Sequence, residues 1–514
     1  MVGGEVRSRQ PRAPSMLDAL IPIVVLVVFL GSAVYLYGGD AIVGPVQVAL
    51  IITAIIAGLI GVKNGHSIEK IGEAAVNSIS TAVGAIFILL AVGSLIGTWN
   101  MSGTIATMTY WGLKILSPSW YYVATAVVCA LIALGIGSAW TVIGTLGVAL
   151  IGIATALGVS PEVTAGAVVS GAYFGDKLSP LSETTNLAPA VAGSDLYTHI
   201  RSMMSTTVPS MLLALALYTF LGLRTDVTDA FDVGPALDAI ESVFHIGFVP
   251  MLPLILVIVL AVRKVPPTIS IMSGALLGGV VAVILQPDVV LAFVADPSLS
   301  TPWAMIKGVW DAMATGFVAD TGYEGLDALL TGGGMTSMMN TVWLILSALA
   351  FGGIMDYTGM LGRLIDPLVR RAKSDRAIVA ATGATAISIN VIAADQYLAI
   401  VLTGNVFKGE YEERGIAPQT LSREIEDTAT VTSPLIPWNS CGAYVAGTLG
   451  IETVAYFPFA FFNWINPLIS FAYAFFGFQI KHVEPGTEPT ESPEKAEFYG
   501  IGGRSVNEVP QTGD

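Results

Sequence analysis

The chain has 514 residues, 54% of them hydrophobic and 12% charged, with a formal charge of −15. So apolar a composition describes one integral membrane unit rather than a string of soluble domains. The negative balance excludes a nucleic-acid partner, because binding phosphates requires a basic surface.

In chain order, residues 1–15 form a short cytoplasmic segment carrying Arg7, Arg9 and Arg12. The apolar run from Met16 to Tyr37 follows. It is too long for a secretion signal and lacks a small-residue cleavage site, so it reads as a retained first helix. Residues 19–39, 41–62, 202–223, 265–287, 428–451 and 453–480 contain no Asp, Glu, Lys or Arg, and 115–161 is a charge-free run long enough for two crossings. About 20 apolar residues span the hydrocarbon layer as a helix. The chain is therefore expected to be an all-α polytopic membrane protein with about 11–13 membrane segments, some of them broken. Cys129 and Cys441 lie within apolar segments and suggest neither a disulfide framework nor a zinc site; both read as small core residues.

The transporter domain covers 16–480, and 481–514 is an acidic tail. There Glu484, Glu488, Glu491, Glu494, Glu497, Glu508 and Asp514 are mixed with Pro, Gly, Ser and Thr, a composition that predicts disorder. Lys63 and Lys70, then Arg363, Arg370, Arg371, Lys373 and Arg376, join the N-terminal arginines in marking cytoplasmic segments, because Lys and Arg are retained on that side. The N-terminus is thus expected inside. The base-poor loops around Asp226 to Glu241 and Asp288 to Asp327 are compatible with an outer face.

Comparison of the two halves reveals a repeat. A shift of 254 lays Ser179-Pro180-Leu181 on Ser433-Pro434-Leu435 and Val191-Ala192-Gly193 on Val445-Ala446-Gly447. Upstream, a shift of 256 lays Gly97 to Gly103 on Gly353 to Gly359 and sets the break at Gly137-Ser138-Ala139-Trp140 beside Ala393-Ala394-Asp395-Gln396. Repeat one spans about 79–196 and repeat two about 335–450. The first copy's helix leaves the basic segment at Lys63 and Lys70, whereas its counterpart runs into the basic cluster at Arg363 to Arg376. The copies are therefore expected to point in opposite directions. Inverted-topology repeats with discontinuous or re-entrant helices are a recurrent architecture of secondary transporters, whose sites lie near the midplane.

The chemistry is expected at the breaks. Pro180 and Pro189 bracket Ser182, Glu183, Thr184, Thr185 and Asn186, while Pro434 and Pro437 precede Asn439 and Ser440. Interrupted helices free backbone carbonyls, and hydroxyl, amide and carboxylate oxygens suit hard cations. Asp176, Glu183 and Asp395 are the candidate coupling carboxylates, since ionised groups at membrane depth usually line a cavity, a relay or an ion site. Asn390, Asp356, Thr432 and Ser433 are secondary candidates, although Ser and Thr also satisfy their own helix carbonyls. A carboxylate withdrawn from water can hold either a proton or a metal cation, and competition between the two at one site is sufficient for exchange.

The strings Gly-Ala-Tyr-Phe-Gly-Asp-Lys-Leu-Ser-Pro-Leu-Ser-Glu-Thr-Thr-Asn-Leu-Ala-Pro at 171–189 and Glu-Asp-Thr-Ala-Thr-Val-Thr-Ser-Pro-Leu-Ile-Pro-Trp-Asn-Ser-Cys-Gly at 426–442 resemble the signatures of the NhaC-type sodium/proton antiporter family, within the ion-transporter superfamily. The resemblance implies exchange of Na+ for H+ across the cytoplasmic (inner) membrane, with no cofactor. It also implies sodium binding by hairpin-tip residues, here Ser182, Thr184, Thr185 and Asn186, with Asn439 and Ser440 in the second copy. Ile436-Pro437-Trp438 stands where the first copy has Ser182-Glu183-Thr184, so the two sites are expected to be unequal. A homodimer is compatible with the sequence.

Relatives of this type also include carriers of organic solutes such as malate with lactate, or amino acids. An organic carboxylate would want a fixed cation, and Lys177 is the only base in either motif, which favours a small inorganic cation. The chain has no His-Glu-x-x-His and no Gly-x-Ser-x-Gly elbow, and its histidines His66, His199, His245 and His482 are scattered. An intramembrane enzyme is not expected.

Overall fold

A computed structural model of the chain describes residues 11–37, 41, 43–225, 234–320, 327 and 330–483. The acidic tail beyond Val483 and the acidic stretch 226–233 lie outside the described residues. Helices α1 (Met16–Tyr37), α2 (Pro45–Lys63) and α3 (Ile68–Ser80) lead into a run of six. These are α4 (Val83–Met101), α5 (Thr104–Ile115), α6 (Pro118–Ile136), α7 (Ala139–Ala156), α8 (Pro161–Leu178) and α9 (Glu183–Ala192). Then come α10 (Leu196–Leu223), α11 (Gly234–Val243), α12 (Leu252–Val262), α13 (Pro267–Leu285), α14 (Pro287–Val294) and α15 (Thr301–Ala314). A second six follows: α16 (Met339–Tyr357), α17 (Met360–Arg371), α18 (Asp375–Ala393), α19 (Gln396–Glu413), α20 (Pro418–Ile425) and α21 (Ser440–Leu449). The described chain closes with α22 (Thr453–Tyr456) and α23 (Phe461–Phe476).

Among the described residues, nine helices are long and apolar enough to cross a membrane, or ten if the pair bent by 60° at Phe459–Phe461 is one span. That is fewer than the about 11–13 expected from about 20 apolar residues per crossing. The difference lies in interrupted pieces. Val249–Val262 is too short for a full crossing, and the apolar stretch 428–451 is cut by a turn before α21. Cys129 and Cys441 are both free and buried, as small core residues would be.

The two sixes match element for element. A shift of 256 carries the starts of α4 and α5 onto those of α16 and α17, and a shift of 257 carries α6 to α9 onto α18 to α21. Their caps agree as well. Gly103 (φ 75) and Gly359 (φ 73) precede α5 and α17; Gly193 (φ 81) and Gly450 (φ 68) end α9 and α21. Ser138 caps α7 through Thr141 N, and Asp395 caps α19 through Leu398 N. Ser182 caps α9 and Asn439 caps α21. Side-chain oxygens at these positions satisfy donors that the first helical turn leaves unpaired.

This register corrects the 254 shift read from the sequence. Ser179-Pro180-Leu181 stands opposite Ile436-Pro437-Trp438, and Ser182-Glu183-Thr184 opposite Asn439-Ser440-Cys441. The cause is Pro434, which occupies the position held by Lys177 in copy one. Proline removes a helix donor, so copy two leaves its helix through a π turn (Glu426–Thr430) and a 3-10 turn (Ser433–Leu435), while α8 continues to Leu178. The copies remain unequal, but at Glu183 against Ser440 and Thr184 against Cys441.

Close packing fixes α8. A Cβ at Gly171 would lie 2.2 Å from the Ala126 carbonyl oxygen, and one at Gly175 2.2 Å from that of Ala130. These two glycines, one turn apart, let α8 approach the α6 backbone, as small residues do between membrane helices. Gly175→Ala should therefore lower the thermal midpoint of the detergent-solubilised protein, costing about 1–3 kcal/mol, the usual range for overpacking. Gly72→Ala, with nothing within 4 Å of the added carbon, should leave it unchanged. Equal midpoints for the two variants, measured by heating followed by size exclusion, would contradict the packing assignment.

Candidate functional site

Each helix break faces its own copy's hairpin tip. The left-handed turn at Gly137 packs on Leu181 and Ser182, a Cβ there meeting Leu181 Cβ at 2.6 Å and Ser182 N at 2.8 Å. In copy two, Ala394 (φ 58) accepts Ser440 N at 2.9 Å. The copies also touch reciprocally. Trp140 at the start of α7 stacks on Tyr444 of α21, centroids 4.1 Å apart, and its carbonyl accepts Tyr444 Oη at 2.7 Å. Its counterpart Tyr397, at the start of α19, donates to Glu183 Oε2 of α9 at 2.8 Å. Breaks and tips of both copies thus meet in one region.

The tip of copy one is mostly self-satisfied. Ser182 is buried, accepts Thr185 N at 3.4 Å and lies 3.2 Å from the Thr184 hydroxyl. Thr185 Oγ1 donates to the Lys177 carbonyl at 3.1 Å, and Asn186 Nδ2 donates to the carbonyls of Pro180 and Ser182 at 2.9 and 2.6 Å. Of the carboxylates expected to be sequestered here, Asp176 is partly buried with Oδ1 enclosed and without a hydrogen-bond partner. Glu183 differs from the expectation. It is exposed, because it starts α9 on the outward side of the cap, and Tyr397 anchors it.

Copy two builds a tighter network. Asp395 is 5% exposed; its Oδ1 accepts Leu398 N at 3.0 Å and its Oδ2 accepts Ser440 Oγ at 3.2 Å. Asn439 Oδ1 accepts Cys441 N at 3.0 Å, while its amide donates to Asn390 O at 3.2 Å and Oδ1 at 3.3 Å. Asn390 in turn donates to the Ala429 carbonyl and, at 3.1 Å, to Thr432 Oγ1. Thr432 and Ser433 return their hydroxyls to the carbonyls of Thr428 and Thr430, and Ser433 also reaches Gln396. Asp356 lies exposed at the end of α16.

The largest omission of the sequence reading is a buried charge cluster at the end of α20 and on the π turn after it. Arg423, Glu424, Glu426 and Asp427 are all 0% exposed, as is Lys177 of copy one. Lys177 Nζ lies 2.6 Å from Asp427 Oδ1. The same oxygen accepts Thr206 Oγ1 and Asn466 Nδ2, each at 3.0 Å. Arg423 Nε stands 3.9 Å from Asp427 Oδ2. Ser470 Oγ lies 2.7 Å from Glu424 Oε2 and 3.0 Å from Asp427 Oδ2. The Ser470 hydroxyl therefore lies between the two carboxyls. The signal available in the sequence was the pairing of one basic residue in the first motif with adjacent acids in the second.

Two helix breaks and two hairpin tips around enclosed charges define a membrane transporter. The chain belongs to the Na+/H+ antiporter family, whose sequence profile matches residues 171–478. It is 36% identical, over 84% of its own length and 90% of the relative, to "Na(+)/H(+) antiporter NhaC" of Alkalihalophilus pseudofirmus. It is 32% identical to "Arginine/ornithine antiporter ArcD" of Halobacterium salinarum, covering 94% of this chain and 97% of that protein. It is likewise 32% identical to "Malate-2H(+)/Na(+)-lactate antiporter" of Bacillus subtilis, covering 93% and 98%.

Removing one partner of a buried ion pair strands the other charge and costs about 3–5 kcal/mol. Lys177→Met and Asp427→Asn should each destabilise by that amount, and the double variant by clearly less than the sum. Denaturation of the solubilised protein followed by tryptophan fluorescence measures this, and strictly additive losses would show that the two side chains are not coupled.

Proposed function

We propose that the chain exchanges Na+ for H+ across the cytoplasmic membrane by alternating access, with its N-terminus inside and its transporter domain over residues 16–480. The two copies, of opposite orientation in this reading, move relative to one another around the region where breaks and tips meet. Asp395 and Asp176 act as coupling carboxylates that hold a proton or share in holding a cation. Glu183 acts nearer the entrance. Ser182, Thr184, Thr185, Asn186, Asn439 and Ser440 supply oxygens or hold the tips in shape. Membership of the Na+/H+ antiporter family supports the exchange reading. The observation that carries the location is the buried ion pair between Lys177 and Asp427, which joins the first motif to the second.

A carrier of a small organic acid or amino acid is the second reading. Arg423 favours it, since this buried guanidinium supplies the fixed cation that the second motif lacks, and its Nε and Nη2 have no hydrogen-bond partner. Against it, Arg423 and Lys177 both already face Asp427.

Proteoliposomes free of organic solute separate the two. A Na+ pulse should move protons saturably through the wild type, and Asp395→Asn or Asp176→Asn should reduce that flux to background in protein that still elutes as a single species. No proton movement on Na+ alone, with flux appearing once an amino acid or a dicarboxylate is added, would replace exchange by solute transport. Full activity in both variants would dismiss their assignment.

A further inference from the structure

Glu426, the first residue of the π turn after α20, differs from the neighbouring charges in its hydrogen bonding. It is 0% exposed, and neither of its carboxylate oxygens has a hydrogen-bond partner. It sits on the π turn Glu426–Thr430, a local widening of the helix that frequently marks functional sites. The hydroxyls beside it are Thr430, one turn on, and Thr184 from the tip of copy one. Thr430 Oγ1 is itself buried and unpartnered, and the enclosed, unpartnered Asp176 Oδ1 belongs to a carboxylate that interacts with Glu426 across the copies. Glu426 and Thr430 of copy two and Thr184 of copy one are thus neighbours, and the Lys177 to Asp427 pair brings the adjacent Asp176 to the same side.

Charge counting says what they want. The fully buried side chains of this cluster comprise two cations, Lys177 and Arg423, and three carboxylates, Glu424, Glu426 and Asp427. Lys177 and Arg423 face Asp427, and Ser470 bridges Asp427 and Glu424. Counted as ions, these groups leave one negative charge over, and Glu426, on which Lys177 acts without donating a hydrogen bond, is the carboxylate whose oxygens remain unfilled. Buried charges are paired or coordinate a metal. A water would supply hydrogen bonds but leave the charge. A divalent ion such as Ca2+ takes about 6–8 oxygens and brings one positive charge more than the count leaves open.

We propose that Glu426, with Asp176, Thr430 and Thr184, forms the binding site for one dehydrated monovalent alkali cation, the transported Na+ of the exchange reading on which this inference rests. The site is built from both copies, so an ion held there bridges them. Asp427 and Lys177 then hold the walls of the site rather than the ion.

The test is binding of radiolabelled Na+ to detergent-purified full-length protein at one fixed alkaline pH, beside the proton-flux assay. Loss of outer-shell partners alone costs about 10–100-fold in metal affinity, so Glu426→Gln should weaken Na+ binding by at least about tenfold. Asp311→Asn, which neutralises a carboxylate 42% exposed on α15, should bind as the wild type does. Thr430→Val and Thr184→Val remove only a hydroxyl and should each weaken binding and alter the preference for Na+ over Li+ and K+. Should Glu426→Gln fail to elute as a folded species, these two decide, and unchanged affinity and preference in both overturn the site. Wild-type Na+ binding by folded Glu426→Gln overturns it while leaving exchange intact. A wild type that neither binds Na+ nor moves protons on a Na+ pulse overturns the exchange reading, and this site with it.

Discussion

The structure is organised around one constraint, that Lys177 and Asp427 carry charge where no solvent reaches. Neither side chain has any exposure, and they lie 2.6 Å apart. Taking either charge out of water costs several kcal/mol, and attraction repays that only when the remaining valences are filled. Asp427 fills its own with Thr206, Asn466 and Ser470. Donors from α10 and α23 are thereby recruited to a contact between α8 and the turn after α20. The end of one copy's helix is tied to the unwinding point of the other.

The frame is repeated but the charges are not. At the 257 register, Arg423, Glu424, Glu426 and Asp427 stand opposite Gly166, Ala167, Val169 and Ser170. Asp176 and Lys177 stand opposite Ser433 and Pro434, and Asp395 stands opposite Ser138. The small residues of α8 let it lie close against α6, while α20 takes the wider π turn and carries the acids. A backbone laid down twice supplies two breaks and two tips. The chemistry is then distributed unevenly, with a base on one side of the contact and carboxylates on the other.

This unevenness explains what the sequence disclosed and what it concealed. Long charge-free stretches and Pro, Gly and Ser clusters located the helices and their interruptions, because apolar length and broken hydrogen bonding leave direct marks on composition. Asp395 could be singled out as an isolated acid in an apolar segment. The segment Ser422-Arg423-Glu424-Ile425-Glu426-Asp427, by contrast, looks like a solvated helix surface, down to the i,i+4 spacing of Arg423 and Asp427. Its burial is a tertiary fact, since the groups that make it tolerable, Lys177, Thr206, Asn466 and Ser470, come from 39 to 250 residues away. The register slipped for a related reason: Ser-Pro-Leu recurs as a string, but Pro434 ends its helix earlier than Pro180 does, and matching letters ignore where a helix unwinds.

The contacts between copies differ in how easily they could be exchanged. Trp140 on Tyr444 and Tyr397 on Glu183 are aromatic and hydroxyl contacts at the two starts of α7 and α19, and parting them strands no fully buried charge. The Lys177 to Asp427 pair could not, because separating it would strand two unsolvated charges. In the alternating-access reading proposed above, motion of one copy against the other pivots on the ion pair and opens at the aromatic contacts. The enclosure proposed beside the pivot, lined by Glu426, Asp176 and Thr430, would then be displaced least while the path to it changes. That is the mechanical condition alternating access requires, a site that stays assembled while the path to it switches sides.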